Sequence, residues 1–391
     1  VVMLIRGAKG TVLKLTVRKP DGNLQVIPIT RDVVQLEAAF AKAAVLQLNH
    51  LAGRFAYIDL PKFYGQTSRR RSTAAKRRTA SDLLLALQKL NSTGVRGLIL
   101  DLRGNTGGLL NEAIQATGLF IPSGPVLQMR NIDDKQWTRA DQDKRIFYQG
   151  PMVIMVDRFS ASASEILASA LQDYGRAVIV GSVTSGKGTV QKFFSLGKAA
   201  SAQPDRQAGE VSLGTLKLTI LQYYQVKGES IQLHGVLPDI PLPDPAAHRQ
   251  TYERLRTHPI TEHAIAAVPY KPWPHLWKLP ELRAHSIARQ ATHAAFDSVK
   301  ARTAFLVQQL ANTVVSLNQT TWLQQRQQAE NTLSTLQLDE TPRFAARPLE
   351  YISVSTMPAQ TRADKAAAWA KKIQSDIWIE EALRILSDMA P

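Results

Sequence analysis

The period of apolar and polar positions changes several times along the chain, and each change predicts a different element. Between the turns Gly7-Ala8-Lys9-Gly10 and Pro20-Asp21-Gly22, the segment Thr11-Val12-Leu13-Lys14-Leu15-Thr16-Val17 alternates residue by residue, as a half-buried strand does. Preceded by an apolar helix tail, residues 1–31 read as the end of a small β-rich module that cannot bury a core alone. The spacing from Asp32 to Asn49 predicts a helix, and Phe55–Leu60 predicts a buried strand. A loop carrying Arg69-Arg70-Arg71 and Lys76-Arg77-Arg78 follows.

Beyond that loop the pattern predicts a helix over 81–91, a strand over 97–102, a helix over about 109–119, a strand over 152–156, a helix over about 163–174 and a strand over 177–180. Near-continuous apolar strands separated by amphipathic helices belong to a sheet covered on both faces. Residues 211–240 return to strands. After Pro241–Pro245 the composition shifts to Gln, Ala, His and Arg, with helical periodicity at 281–313, 320–337 and 363–388. The expected division is 1–31, 32–244 and a separate helical domain over 245–391.

Composition narrows the function classes. A chain of 391 residues fits two or three domains. Its 48 Lys+Arg against 32 Asp+Glu give a formal charge of +16, enough for non-specific attraction to polyanions. No recognition module or aromatic platform accompanies the basic loop, so it reads as solvated surface with no specific nucleic-acid partner. The absence of cysteine excludes disulfides, thiolate metal sites and a Cys nucleophile. No apolar run approaches the roughly 20 residues that span a bilayer. The opening Val1-Val2-Met3-Leu4-Ile5-Arg6-Gly7 lacks a leader and cleavage site and starts without Met inside an apolar pattern, so an upstream part is expected.

The stretch Asp157-Arg158-Phe159-Ser160-Ala161-Ser162-Ala163-Ser164-Glu165-Ile166 lies between a predicted strand and helix. There a side chain is presented at a sheet edge, beside helix-start amides that have no intrahelical acceptor. The same residues fit a capping box, Ser162-Ala163-Ser164-Glu165. Lys187, 25 positions on, sits in Thr184-Ser185-Gly186-Lys187-Gly188-Thr189 after the strand Ala177–Val180. Adjacent parallel strands would bring both turns to one edge, and a lysine desolvated between glycines can serve as a neutral base. It equally fits a solvated loop lysine. A third strand-to-helix turn, Asp101-Leu102-Arg103-Gly104-Asn105-Thr106-Gly107-Gly108, offers amides to developing negative charge or is an ordinary tight turn.

With these segments assembled, the sequence resembles the tail-specific, or C-terminal processing, protease family: peptidases with a Ser-Lys dyad, a PDZ domain and a core related to the Clp protease and crotonase folds. The resemblance rests on Leu98–Arg103 with its glycine turn, Phe159–Glu165, Gln172-Asp173-Tyr174-Gly175-Arg176-Ala177, Gly186–Gln191 and His234-Gly235-Val236-Leu237-Pro238-Asp239-Ile240. Val315-Ser316-Leu317-Asn318 and the helix after it look like the helical C-terminal domain of the longer Gram-negative members.

The resemblance implies an α/β Clp protease/crotonase-like core, a partial PDZ module over 1–31 and an all-α C-terminal domain. It makes Ser162, rather than Ser160 or Ser164, the nucleophile and Lys187 the general base. It implies oxyanion donors at the Gly108 and Ala163 amides and a further catalytic residue at Gln191. Asp173 also matches, but 11 residues along a helix span about 16 Å, so it would support the helix end rather than touch Ser162. Expected partners are proteins with apolar C-termini, with an adaptor conceivable, in the periplasm. No cofactor or metal is implied. Ser185 stands where relatives usually carry Phe, thinning the apolar wall around Lys187.

Three other readings remain. A catalytically silent or adaptor-dependent scaffold of the same fold is one. Gly181–Lys187 fits most of a nucleotide-binding P-loop, yet Gly188 displaces the metal-binding hydroxyl and Thr189–Phe194 looks like a strand where a helix should start. A Ser-His-Asp triad has little support, since six of the eight histidines lie beyond Asp244 and no Gly-x-Ser-x-Gly elbow occurs.

Overall fold

The structure, a computed structural model, describes residues 2–19, 21–32, 37–49, 53–65, 77–196, 214–275, 277–350 and 359–389. The chain divides into two compact units, Val1–Phe40 and Ala41–Pro391. The first holds a short helix α1 (Val2–Ile5) and an antiparallel hairpin of β1 (Val12–Arg18) and β2 (Leu24–Thr30), in register from Val12 opposite Thr30 to Arg18 opposite Leu24. The Arg31 guanidinium ties the hairpin to the helix by donating to the Leu4 and Ile5 carbonyls. Val12, Leu24, Val26 and Ile29 are exposed, as the faces of a two-stranded ribbon are.

The second unit is built on a seven-stranded sheet in the order β12-β9-β8-β5-β4-β3-β13. Its strands are β3 (Lys42–Leu48), β4 (Phe55–Asp59), β5 (Leu98–Asp101), β8 (Met152–Val156), β9 (Val178–Gly181), β12 (Ile240–Pro241) and β13 (Phe344–Pro348). From β4 to β12 neighbours run parallel, while β3 and β13 add antiparallel at one side. The helices α2 (Thr79–Asn91), α3 (Leu110–Gly118) and α4 (Ala163–Asp173) cover one face, packing Leu87, Ala113 and Leu167 on Ile58, Leu100 and Ile154. A second, antiparallel sheet has the order β10-β11-β6-β7, from β6 (Gly124–Asn131), β7 (Gln136–Asp141), β10 (Thr189–Ser195) and β11 (Thr215–Tyr224).

The opposite face of the large sheet is covered by the C-terminal segment. Its helices are α5 (Leu279–Thr292), α6 (Ala294–Ala311), α7 (Gln319–Thr335), α8 (Ala359–Gln374) and α9 (Ile377–Met389). Leu282, Ile373, Ile379, Leu383 and Leu386 from these helices pack on Tyr57, Ile99, Val153, Met155 and Val180. At about 1.5–3 kcal/mol per buried side chain, that layer stabilises the sheet as much as its own segment. Hence residues 41–244 and 245–391 share one core within the second unit. The C-terminal segment is helical as expected, with one strand added: β13 pairs with β3 on the flank away from β4.

That pairing also explains a misreading. The helix expected over Asp32–Asn49 is a 3-10 turn at Glu37–Ala39 followed by β3, residues 33–36 lying outside the described residues. Ala44, Leu46 and Leu48 face one core and Ala43 and Val45 the other, so burial on both sides overrides helix propensity. The helix expected over 281–313 breaks at His293, whose extended backbone and ring Nδ1, an acceptor from the Ala295 amide at 3.3 Å, cap α6. No helix among the described residues is long and apolar enough to cross a membrane.

Candidate active site

Three turns leave the C-terminal ends of the neighbouring parallel strands β5, β8 and β9, which puts residues 102–109, 157–162 and 182–188 at one sheet edge. The first two are stapled together. The Ser160 hydroxyl donates to the Leu102 carbonyl at 2.8 Å and the Ser164 hydroxyl to the Asn105 carbonyl at 2.7 Å. The Ala161 amide donates to the Asn105 carbonyl at 3.0 Å, and the Gly104 amide to Asp157 Oδ1 at 2.9 Å. Of the three alternating serines, the outer two are thus buried and committed to carbonyls.

Ser162 is the one left, and its backbone is unusual: φ is +57° and ψ is −112°, a region that costs of order 1–3 kcal/mol for a residue with a Cβ. Here the chain turns sharply from strand to helix and presents the side chain at the edge. Gly107 allows the close approach. A Cβ there, at φ +96°, would stand 2.7 Å from the Ala161 oxygen, 2.9 Å from Ser162 Cβ and 3.0 Å from the Ala163 nitrogen. Gly107 therefore abuts the start of α4, and among the described residues neither the Gly108 nor the Ala163 amide has an acceptor.

The third turn is fastened to the second by Glu165, a fully buried carboxylate that accepts four hydrogen bonds. Its Oε1 receives the Thr184 hydroxyl at 2.6 Å and the Gly186 amide at 2.7 Å; its Oε2 receives the Ser162 amide at 2.7 Å and the Lys187 amide at 3.1 Å. Burial pushes this carboxyl up to about 7, with the four donors pulling it back. The Ser185 amide adds a bond to the Ser160 carbonyl at 3.0 Å. Lys187 is half-buried, and desolvation, aided by the nearby Lys217, holds its amine below the usual lysine range against Glu253 and Glu165.

Tyr223, buried on β11, closes the cluster. Its hydroxyl donates to the Lys187 carbonyl and lies near the Ser162 side chain, and its amide donates to the Gly188 carbonyl at 2.9 Å. Among the described residues no hydrogen bond joins Lys187 Nζ to Ser162 Oγ, which belongs to the capping box at the start of α4. Sequence reasoning missed both Glu165, seen only as a capping partner, and Tyr223, one aromatic in an apolar strand.

The other expected residues fall at varying distances from this cluster. Gln191 does not join it: a β-bulge between Val190 and Gln191 shifts the register of β10, and the amide donates to Thr189 Oγ1 at 2.9 Å and Thr219 Oγ1 at 3.3 Å. Asp173 sits at the far end of α4, where it accepts from the Lys227 amide at 3.1 Å. Lys187 is followed by the strand β10 rather than a helix, which removes the P-loop. Arg69–Lys76 of the basic loop lie outside the described residues. Arg77 pairs with Asp82 at 2.7 Å and Arg78 with Glu112 at 2.8 Å, so these two are structural rather than merely solvated.

Comparison with known proteins places this sequence among peptidases. Residues 54–242 match the model of peptidase family S41, and residues 249–391 match the C-terminal domain of tail specific protease. The tail-specific protease of Haemophilus influenzae is 38% identical over 243 residues, covering 61% of this chain and 32% of that protein. The carboxy-terminal-processing protease of Bartonella bacilliformis is 33% identical over 251 residues, covering 61% and 50%. These matches span about a third to a half of the relatives' own length. Among solved structures, the photosystem II D1 C-terminal processing protease aligns with a TM-score of 0.43 at 24% identity, covering 62% of this chain and 58% of that one.

Proposed function

Because the chain belongs to peptidase family S41 and carries the C-terminal domain of the tail-specific proteases, we propose that it cleaves polypeptides through a Ser162 acyl-enzyme with Lys187 as general base. The neutral Lys187 amine takes the Ser162 proton as the alkoxide oxygen attacks the scissile carbonyl. The Gly108 and Ala163 amides receive the oxyanion. The resulting ammonium protonates the leaving amine; water then repeats the sequence on the ester, releasing the acid and restoring the serine. For the amine to reach the hydroxyl, the Lys187 side chain must move onto Ser162 Oγ, a tightening expected when substrate fills the site.

The observation that carries this reading is the sorting of the serines. Ser160 and Ser164 spend their hydroxyls on main-chain carbonyls, whereas Ser162 is strained, only half-buried and flanked by amides without acceptors among the described residues. Names of the relatives support substrates recognised at their C-termini. Apolar tails, a periplasmic setting, a PDZ identity for 1–31 and an adaptor extend the same reading. The test is degradation of an unstructured polypeptide with an apolar C-terminus, followed by gel, together with labelling by a serine-directed fluorophosphonate. Ser162→Ala should lower turnover by at least about a thousandfold and abolish the label without changing the melting temperature. A second reading, a silent scaffold, is favoured by the missing Nζ–Oγ contact, and it predicts no label on either protein.

A further inference from the structure

The glycine turn that follows β5 is gripped from the C-terminal segment as well as from the core. Arg103 opens the turn, and its guanidinium lies between two carboxylates. Nε and Nη2 donate to Asp101 at 2.6–3.0 Å, while Nη2 donates to Asp376 Oδ2 at 2.9 Å and Nη1 to Asp376 Oδ1 at 3.3 Å. Asp101 is itself fixed by the Tyr57 hydroxyl at 2.8 Å and the Arg103 amide at 3.0 Å. Asp376 is rigid too, since its Oδ1 caps α9 by accepting the Trp378 and Ile379 amides at 2.9 and 3.0 Å. A cavity of about 410 Å³ opens beside this group, lined by Tyr57, Arg103, Asp157, Trp369, Asp376 and Trp378. On its cavity side the guanidinium is held by these ion pairs.

We propose that Asp376 is a positioning residue for peptide hydrolysis, acting through Arg103 to hold the 104–108 turn that offers the Gly108 amide beside Ser162. The inference rests on the hydrolytic reading of Ser162 and makes the C-terminal segment part of the catalytic apparatus. Several anchors fix the turn: Asp157 on the Gly104 amide, the Asn105 side chain between the Leu60 carbonyl and the Gly107 amide, the Ser160 and Ser164 hydroxyls on the Leu102 and Asn105 carbonyls, Phe63 on the Gly107 carbonyl and the Leu109 amide, and Arg103 on Asp101 and Asp376. Only the last reaches across to α9. A small displacement of an oxyanion donor acts in the transition state far more than on substrate binding.

The test uses Asp376→Asn in the full chain. Asparagine keeps the Oδ1 that caps α9 and accepts from Arg103 Nη1 at 3.3 Å, but it removes the charge and sets an amide nitrogen against Arg103 Nη2, so the cap survives and the bridge is cut to one long, neutral hydrogen bond. The expected result is a kcat lower by about tenfold or more with KM within roughly twofold, and faster amide hydrogen exchange over 102–108 by mass spectrometry. Asp388→Asn, near the other end of α9, which breaks the 2.7 Å pair with Arg289 of α5, should alter neither. Asp376→Ser, another capping residue without the carboxylate, should repeat the effect if the asparagine variant folds poorly. Wild-type kcat in both Asp376 variants overturns the proposal. Should the wild type itself cleave nothing, the hydrolytic reading falls, and unchanged exchange over 102–108 would then sink the positioning role separately.

Discussion

Replacing Glu165 by glutamine tests the junction between the serine and lysine turns with almost no change of shape. The native carboxylate accepts two donors on each oxygen, and a glutamine keeps one acceptor. If its nitrogen takes the Oε2 position, the Ser162 and Lys187 amides face a donor. If the side chain flips, the Gly186 amide and the Thr184 hydroxyl lose their acceptor, for that hydroxyl already accepts the Val236 amide at 2.7 Å. Either way two buried donors are orphaned, at about 1–3 kcal/mol each. The opposing gain is removal of a desolvated charge. A carboxyl pushed up to about 7 corresponds to about 3 kcal/mol of strain in the ionised form above that pH. Net stability at pH 8 should change by between a gain of about 1 and a loss of about 3 kcal/mol, while the two turns no longer share an anchor and kcat drops by about a hundredfold.

The pH dependence supplies a second readout. Because the folded-state value lies above that of the unfolded chain, the folded protein holds the Glu165 proton longer as pH rises. Stability from this group is greatest below the ordinary glutamate range, falls as pH climbs through about 7, and is flat above. Thermal melts at pH 5 and pH 8 should show that slope in the wild type and lack this component in Glu165→Gln. Activity runs the other way, since protonating Glu165 adds a donor where four already converge. Glu165→Gln hydrolysing at the wild-type kcat between pH 6 and 8 would refute the reasoning.

Lys187 and Gly107 offer independent checks. Hydrolysis needs the unprotonated amine, so log kcat should rise with pH through the depressed Lys187 value; Lys217→Met removes a cation that depresses it, and the rising limb should move to higher pH. A limb that stays in place or moves down would show that Lys187 is not the titrating base. Gly107→Ala sets a Cβ 2.7 Å from the Ala161 carbonyl at φ +96°, so turnover should collapse with a loss of about 1–3 kcal/mol in stability. Undiminished turnover in a kinetic assay would mean that the two turns lie further apart than described.

Much of the fold was legible because burial on both faces writes itself as continuous apolar runs. Strands β4, β5, β8 and β9 and the helices between them fall within a few residues of expectation. Where the reading went astray, distant partners decided the outcome. Ala43-Ala44-Val45-Leu46 has good helix formers, and it becomes a strand through a pairing partner almost 300 residues away at Phe344–Pro348. Likewise the helical segment beyond 245 announces its periodicity but not its destination. Leu383 and Leu386 make an amphipathic stripe in any helix; that the stripe lies on Ile99 and Val153 follows from the exposed second face of the sheet.

The site was legible for the same reason and obscured by the same limit. Strand ends at one edge brought Ser162 and Lys187 into a common neighbourhood, yet the carboxylate joining them looked like an ordinary cap. The capping reading is correct as far as it goes, since Glu165 Oε2 accepts the Ser162 amide at 2.7 Å. Capping and catalysis are not competing explanations here. A cap fixes the backbone of the residue that starts the helix, and that residue carries the strained hydroxyl. The carboxylate's remaining lone pairs then fix the lysine turn 22 residues further on. A sequence displays one end of such a bridge through local spacing. The other end becomes visible once two turns are known to meet, which is why an alanine at Glu165 should harm activity more than any cap on a surface helix could.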